Sequence, residues 1–332
     1  MDSAKPLMFL TRRIPEPGLR LVCEAFSVIG GEEDRPPVRE ELLLGVRGVD
    51  ALLCLLSETI DDEVMEAAGP RLRVISNMAV GYDNVDVEAA TKRGILVTNT
   101  PGVLTDATAD LTWALILGTV RRVVEGDLMV RKGRFGQWSP FMLLGRTVAG
   151  ATLGIIGMGR IGQAVARRSL GFDMRVLYTR TSGPLAPESV PAGARWEYRP
   201  GLEEVLSEAD IVSLHVPLTE ETHHLVGARE LALMRPGSYL VNTSRGPVVD
   251  EAALVKSLED GHLGGAGLDV YEREPELTAG LTDLENVVLL PHLGSATVEA
   301  RGRMAELAAR NAIAAVRGDR VAHMVNPQVL RV

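Results

Sequence analysis

The stretch TLGIIGMGRIGQAVARR, residues 152–168, decides the fold of this chain. A short apolar run, residues 153–156, precedes Gly157, Gly159 and Gly162, and an amphipathic helical pattern follows at once. The first glycine permits a tight turn, the second lets the backbone approach phosphate oxygens, and the third lets helix and strand pack closely. The free amides and the dipole at the start of the helix favour an anion. The stretch therefore predicts the strand, turn and helix that bind a dinucleotide pyrophosphate.

Composition and charge narrow the class of protein. The chain has 332 residues, enough for about two domains, and 46% of them are hydrophobic. The net charge of -9 argues against a nucleic-acid partner, which needs a basic face. Apolar runs of membrane-spanning or secretory length are missing, so we expect a cytoplasmic protein with no membrane partner. Cys23 and Cys54 stand in apolar surroundings and are interpreted as buried thiols, with no metal site expected.

The first half of the chain alternates short apolar runs with helix-like stretches. The apolar runs are residues 7–10, 51–55, 72–75 and 95–97. The helix-like stretches are residues 17–26, 38–46, 61–68 and 87–93. This alternation predicts a small parallel α/β domain. The breaker Thr100-Pro101-Gly102 is a predicted crossing point between domains.

The second half continues the pattern after the glycines. Further strands are predicted at residues 175–178, 211–215, 239–242, 267–270 and 287–290. An alanine-rich helix over residues 296–317 ends at Gly318 and is expected to return to the first domain. We therefore predict an α/β protein with a doubly wound, parallel-sheet (Rossmann) cofactor domain, residues 102–290. A smaller, discontinuous, flavodoxin-like α/β substrate domain is predicted from residues 1–101 and 291–332.

A long helical pattern covers residues 106–130, with Thr105 as a plausible N-cap and Gly133 as terminator. Its apolar content exceeds the single stripe of a surface helix. The pattern predicts either a buried interdomain helix or a subunit interface, and we favour the interface.

The end of the second predicted strand of the cofactor domain indicates which dinucleotide binds. NAD needs an acidic residue there for the ribose hydroxyl. This strand is followed by Thr179, Arg180, Thr181 and Ser182, and an acid first appears at Glu188. A guanidinium with neighbouring hydroxyls suits a 2′-phosphate. NADP(H) is therefore the predicted cofactor, with NAD(H) possible.

Arg245, Glu274 and His292 follow the last three predicted strands, where open α/β sheets place their ligand crevice. Each could instead be an ordinary cap or surface residue. Together they suit reduction of a 2-keto acid, in which a hydride attacks the ketone carbon and a proton reaches the developing alkoxide. His292 is the natural proton donor, and a carboxylate partner such as Glu274 would favour the imidazolium and fix the ring. Arg245 could clamp the substrate carboxylate and polarise the ketone.

Several separated segments resemble the D-2-hydroxyacid dehydrogenase family, and most closely its glyoxylate/hydroxypyruvate reductases. The segments are VGYDNVDVEAATKRGILVTNTPGVLTDATAD (80–110), LGIIGMGRIGQAVARR (153–168), VNTSRGPVVDEAAL (241–254), GAGLDVYEREP (265–275) and LLPHLGSAT (289–297). The resemblance implies that Arg245, Glu274 and His292 are catalytic. It also implies that the backbone around Val80 and Gly81 binds substrate together with Arg245 and His292. The predicted cofactor contacts are Gly157, Met158, Gly159, Arg160, Ile161, Gly162, Thr179, Arg180, Thr181, Thr243, Ser244, Asp269 and Gly294.

The function that the resemblance implies is NADPH-dependent reduction of small 2-keto acids, such as glyoxylate and hydroxypyruvate, by a homodimer. The alternatives are a D-3-phosphoglycerate dehydrogenase and, from a different class, a dinucleotide-sensing corepressor.

Two residue assignments have two interpretations each. Asp269 either lies near the nicotinamide or is a strand-end carboxylate that stabilises local backbone. Residues 138–143 either line the substrate pocket or serve interdomain packing.

Overall fold

The computed structural model describes residues 5–331. Its strands are β1 (Leu7–Leu10), β2 (Ser27–Gly30), β3 (Ala51–Cys54), β4 (Val74–Asn77), β5 (Leu96–Thr98), β6 (Thr152–Ile156), β7 (Arg175–Thr179), β8 (Arg195–Tyr198), β9 (Ile211–Leu214), β10 (Tyr239–Asn242), β11 (Gly265–Leu268) and β12 (Val287–Leu289). Its α-helices are α1 (Glu16–Ala25), α2 (Arg39–Gly45), α3 (Asp62–Ala68), α4 (Val87–Lys92), α5 (Thr105–Val120), α6 (Val123–Arg131), α7 (Arg160–Arg168), α8 (Leu202–Glu208), α9 (Ala228–Leu233), α10 (Glu251–Glu259) and α11 (Val298–Arg317). No helix in this part of the chain is long and apolar enough to span a membrane.

The contacts divide the chain into two compact units, and the boundaries between them follow residues 104 and 295. Unit 1 contains residues 5–104 and 296–331, and unit 2 contains residues 105–295. The predicted domain boundaries lie a few residues earlier, after residues 101 and 290. These boundaries remain a prediction. Their outer limits, residues 1 and 332, lie outside the described residues.

Unit 1 contains a five-stranded parallel sheet in the order β2-β1-β3-β4-β5, which is the flavodoxin-like order. Every residue of the central strands β3 and β4 is buried, as expected for parallel strands covered on both faces. Helix α11 packs against α1 and β4, and the Ser76 hydroxyl donates to the Ala308 carbonyl at 2.9 Å. The C-terminal helix therefore belongs to the same core as the first hundred residues.

Unit 2 contains a seven-stranded parallel sheet in the order β12-β11-β10-β9-β6-β7-β8. The chain starts in the middle with β6, winds outward through β7 and β8, and then returns to the other side of β6 with β9. This is the doubly wound order of dinucleotide-binding domains, extended by one strand. The order reverses between β6 and β9, which is where open sheets of this kind bind ligands. The predicted fold class is confirmed.

Several local predictions were wrong. The helix predicted over residues 106–130 is two helices, because Arg122 adopts a left-handed conformation (φ 53°) between α5 and α6. Much of α5 is buried, whereas α6 has no buried residue. Cys23 is exposed, although Cys54 is buried as expected. The edge strands β2 and β8 were not predicted, because their exposed and partly exposed residues lack an apolar run.

Candidate active site

The glycine turn, residues 157–162, runs from the end of β6 into the first turn of α7 at the switch point. Gly157 has a φ of 97°, and a Cβ there would lie 2.5 Å from the carbonyl oxygen of His215. A Cβ on Gly162 would lie 2.3 Å from the carbonyl oxygen of Gly157, so close packing excludes a side chain. A Cβ on Gly159 would meet nothing within 4 Å, so the N-cap of α7 faces open space. The turn thus leaves room for a ligand only at its second glycine, as a bound pyrophosphate requires.

The side chains around this turn differ in what they can contact. Arg160 is exposed and Ile161 is partly exposed, so both are accessible from the turn. The side chain of Met158 is only 1% exposed and packs in the core of unit 2. Its predicted cofactor contact is therefore restricted to the main chain.

The Arg180 loop follows the next strand of the sheet. Thr179 is the last residue of β7, and Arg180 and Thr181 come directly after it. The Arg180 side chain donates from Nε to the Ser182 hydroxyl at 2.6 Å. Among residues 5–331 no carboxylate forms an ion pair with Arg180. The loop therefore carries a guanidinium together with the hydroxyl groups of Thr179, Thr181 and Ser182, a set that fits a phosphate better than a ribose hydroxyl.

Glu274 and His292 form a hydrogen-bonded pair, with 2.8 Å between Glu274 Oε2 and His292 Nδ1. The other carboxylate oxygen of Glu274 accepts a hydrogen bond from the Tyr271 N–H at 3.0 Å. Partial burial raises the pKa of Glu274, but the hydrogen bond and the charge of His292 outweigh it, so the pKa is lowered from its ordinary value. An ionised Glu274 places a proton on Nδ1 and leaves Nε2 as the atom for chemistry.

The histidine loop, residues 290–294, carries His292 in a left-handed conformation with φ 55°, which is uncommon outside glycine. Asp269 holds this loop: its two carboxylate oxygens accept from the N–H groups of Leu293 (2.6 Å) and Gly294 (2.7 Å). Asp269 is 1% exposed, and desolvation raises its pKa above the ordinary value despite these hydrogen bonds. These contacts support the interpretation of Asp269 as a carboxylate that stabilises backbone.

Arg245 lies just after β10, in a segment ordered by Asn242. The Asn242 amide donates to the Arg245 carbonyl at 2.8 Å and accepts from both the N–H and the hydroxyl of Ser244. The preceding Thr243 is buried, with its hydroxyl 2.9 Å from that of Thr112. The side chains of Thr243 and Ser244 therefore both form hydrogen bonds within the protein.

Four residues that support the site were not predicted: Thr108, Thr112, Asn242 and Tyr271. Thr108 donates to the Gly294 carbonyl at 3.0 Å, and the Tyr271 hydroxyl donates to the Leu290 carbonyl at 2.9 Å. Burial raises the pKa of Tyr271 to about 12, so its hydroxyl stays a donor. Asn242 and Tyr271 stand inside the segments that resemble the family, but nothing in their spacing marks them as supports.

His215 was not predicted as a site residue, and it directly follows β9, the strand that pairs with β6 beside the glycine turn. Its Nε2 lies 2.9 Å from the Ser213 hydroxyl, and burial lowers its pKa to about 3. It is therefore neutral at neutral pH. Residues 5–331 contain no group of histidine, cysteine and acidic side chains that could hold a metal ion.

Val80 and Gly81 lie in unit 1, in the loop after β4. Both are partly exposed. The remaining predicted site residues all belong to unit 2, where they lie at or after the ends of β6, β7, β10, β11 and β12. Because the strands of this sheet are parallel, those residues share its carboxyl edge.

Comparison with known proteins gives consistent matches. A family model described as the NAD binding domain of D-isomer specific 2-hydroxyacid dehydrogenases matches residues 113–294. A glyoxylate reductase of Thermococcus gammatolerans is 54% identical over 99% of this chain and 98% of its own. A crystal structure of a Thermus thermophilus protein is 46% identical, with a TM-score of 0.87, over 96% of this chain and 99% of that one. An NADPH-dependent glyoxylate/hydroxypyruvate reductase of Sinorhizobium meliloti, solved with NADP and malonate, is 34% identical with a TM-score of 0.84, over 97% of both chains.

Proposed function

Since this chain belongs to the D-2-hydroxyacid dehydrogenase family, we propose that it reduces glyoxylate and hydroxypyruvate to the corresponding 2-hydroxy acids. The observation that carries the proposal is the hydrogen-bonded pair of Glu274 and His292 at the edge of the sheet that also carries the glycine turn. Relatives that are named as glyoxylate reductases support the choice of substrate.

In this proposal His292 delivers the proton from Nε2 to the oxygen of the substrate ketone as that oxygen becomes an alkoxide. Glu274 accepts the hydrogen bond from His292 Nδ1 and stabilises the charged imidazolium before proton transfer. The same hydrogen bond orients Nε2, the atom that donates the proton. Arg245 binds the substrate carboxylate and polarises the ketone. The glycine turn would hold a nicotinamide dinucleotide, which would supply the hydride. After the reaction His292 regains a proton from solvent.

We further propose NADP(H) as the preferred cofactor, held by Gly159 and the start of α7 at the pyrophosphate and by Arg180 at the 2′-phosphate. The open space at Gly159 and the position of Arg180 after β7 support this assignment. Arg180→Ala is expected to raise the KM for NADPH about tenfold or more and to change the KM for NADH little, since only NADPH has the charged 2′-phosphate. Arg195→Ala, on the exposed edge strand β8, is the matched control. Equal changes for both cofactors would contradict the assignment.

A panel of steady-state rates tests the proposed function. Glyoxylate, hydroxypyruvate, pyruvate and 3-phosphohydroxypyruvate are each measured with NADPH and with NADH. The highest kcat/KM is expected for glyoxylate or hydroxypyruvate with NADPH. A preference for 3-phosphohydroxypyruvate would favour the phosphoglycerate dehydrogenase, and binding of the dinucleotide without turnover would favour the corepressor.

We also propose a homodimer that forms through α6 and the loop after it. Large apolar side chains there are exposed, including Val130 (62%), Trp138 (76%) and Phe141 (82%). Trp138 and Phe141 are largely exposed, which argues against an internal packing role for these two residues. Exposed apolar clusters of this kind are typical of protein interfaces. Light scattering of the purified protein is expected to give twice the chain mass of 35.7 kDa.

A further inference from the structure

Two asparagine side chains hold the main chain of the loop after β4. Asn99 Nδ2 donates to the Val80 carbonyl at 2.8 Å, and Asn77 Nδ2 donates to the Gly81 carbonyl at 3.0 Å. Both donors come from the end of a strand or the residue after one, since Asn77 ends β4 and Asn99 follows β5. Two successive carbonyl groups are thus drawn toward the sheet.

The planarity of the peptide group makes this arrangement directional. In a trans peptide the C=O and the following N–H point in opposite directions. With the carbonyls of Val80 and Gly81 turned toward the asparagines, the N–H groups of Gly81 and Tyr82 point the other way. Neither N–H has a hydrogen-bond acceptor within residues 5–331, and Tyr82 is 45% exposed. Two neighbouring main-chain N–H groups without a protein acceptor are available as donors to an anion.

The asparagines are themselves firmly held. Asn77 is fully buried, and its Nδ2 also donates to Asn84 Oδ1 at 3.0 Å. Asn84 in turn donates to the carbonyls of Leu55 and Glu58, in the loop after β3. The carbonyl of Asn99 accepts from the buried Asn311 on α11 at 3.1 Å. These asparagine side chains therefore fix the orientation of the two peptide groups, and with it the direction of the two N–H groups.

We propose that Asn77 and Asn99 are positioning residues, which orient the N–H groups of Gly81 and Tyr82 to bind the carboxylate of the keto-acid substrate. The inference rests on the proposed function, because it takes a 2-keto acid as the ligand. It adds residues that do not contact substrate and that act through two peptide groups. The same chemistry recognises the carboxylate of the hydroxy-acid product.

The test compares Asn77→Ala and Asn99→Ala with wild type in NADPH-dependent reduction of glyoxylate. Loss of either side chain frees one peptide to rotate and weakens a charge-assisted hydrogen bond, so we expect the KM for glyoxylate to rise about tenfold. The carboxylate keeps its charge in the transition state, so kcat should change much less than KM. The KM for NADPH should stay within about twofold. Asn99→Gln, which keeps an amide donor, is expected to recover part of the loss.

Asn326→Ala is the matched control for a merely structural role. Asn326 is also fully buried in unit 1, where its side chain accepts from the Val97 N–H and donates to the Ile95 carbonyl. We expect this variant to lose thermal stability while its KM for glyoxylate stays at the wild-type value.

The outcomes separate the two proposals. Wild-type turnover with unchanged KM in Asn77→Ala and Asn99→Ala would overturn the positioning role and leave the proposed function intact. An equal rise of KM in Asn326→Ala would also overturn it, because general loosening would then explain the effect. A wild-type protein that reduces none of the keto acids would overturn the proposed function, and this inference with it.

Discussion

The glycine turn and the histidine loop lie at the same edge of one sheet, yet they are encoded in different ways. The constraints on the glycine turn come mainly from within residues 157–162 and from the neighbouring strand end at His215. The histidine loop is held by Glu274 and Asp269, which are 18 and 25 residues from their partners, and by Thr108, which is 186 residues from Gly294. A motif can be found by reading along the chain when its constraints are local. Support that comes from distant segments is visible only in the fold.

The largest expected difference between the glycine turn and the histidine loop comes from removing the proposed proton donor of the histidine loop. His292→Ala is expected to lower kcat for glyoxylate reduction by roughly 10²–10⁴-fold, because the alkoxide loses its proton donor. The KM for NADPH should stay near the wild-type value, since the glycine turn is unchanged. His223→Ala removes an exposed histidine of the same unit and should have little effect. Retention of more than a tenth of the turnover in His292→Ala would reject its role.

Two glycine-to-alanine substitutions, each of which adds one methyl group, separate the structural and the binding role of the glycine turn. Gly162→Ala should destabilise the fold by about 1–3 kcal/mol, because its Cβ would lie 2.3 Å from a main-chain oxygen. Gly159→Ala should leave the melting temperature nearly unchanged and raise the KM for NADPH, because its Cβ would occupy open space. Thermal unfolding and cofactor titration of both variants check this difference. Equal loss of stability in the two would contradict the assigned roles of the glycines.

How much could be predicted from the sequence follows the same division between local and distant constraints. The strand–turn–helix around Gly157 and the placement of Arg245, Glu274 and His292 after strands were predicted, because strand ends and glycine spacing are local patterns. The break before α6 was missed because a left-handed arginine, Arg122, leaves no signal of the kind that glycine or proline gives. The supporting contact of Thr108 was missed because a threonine inside a helical pattern gives no indication of a partner so distant in the chain.

Asp269 offers a milder test of the histidine loop, because it acts through the backbone. Asp269→Asn replaces one acceptor oxygen by an NH2 group that faces a main-chain N–H of Leu293 or Gly294. A buried donor without an acceptor costs about 1–3 kcal/mol, and the loop should shift. We expect kcat to fall about tenfold and the amides of the loop to exchange faster with deuterium. Asp250→Asn, at the N-cap of α10, keeps an acceptor oxygen for the Ala253 N–H and should leave kcat near the wild-type value.

The smallest expected effect is the contribution of the Glu274–His292 pair to stability against acid. The pKa of Glu274 is lowered in the folded chain, so the pair stabilises the protein above the ordinary carboxyl value of about 4.5. That contribution is lost as the pH falls through the lowered folded value. The Glu274 side chain is 31% exposed, so we expect no more than about 1 kcal/mol.

Chemical denaturation between pH 3 and pH 7 measures this contribution. The free energy of unfolding of Glu274→Gln should depend less steeply on pH than that of wild type, because glutamine does not titrate. Glu276→Gln, two residues away, is the matched control, since the exposed Glu276 side chain makes no ion pair with any residue in 5–331. Its pH dependence should match the wild type. Parallel curves for Glu274→Gln and wild type would mean that the pair orients His292 without stabilising the fold, and would confine its role to catalysis.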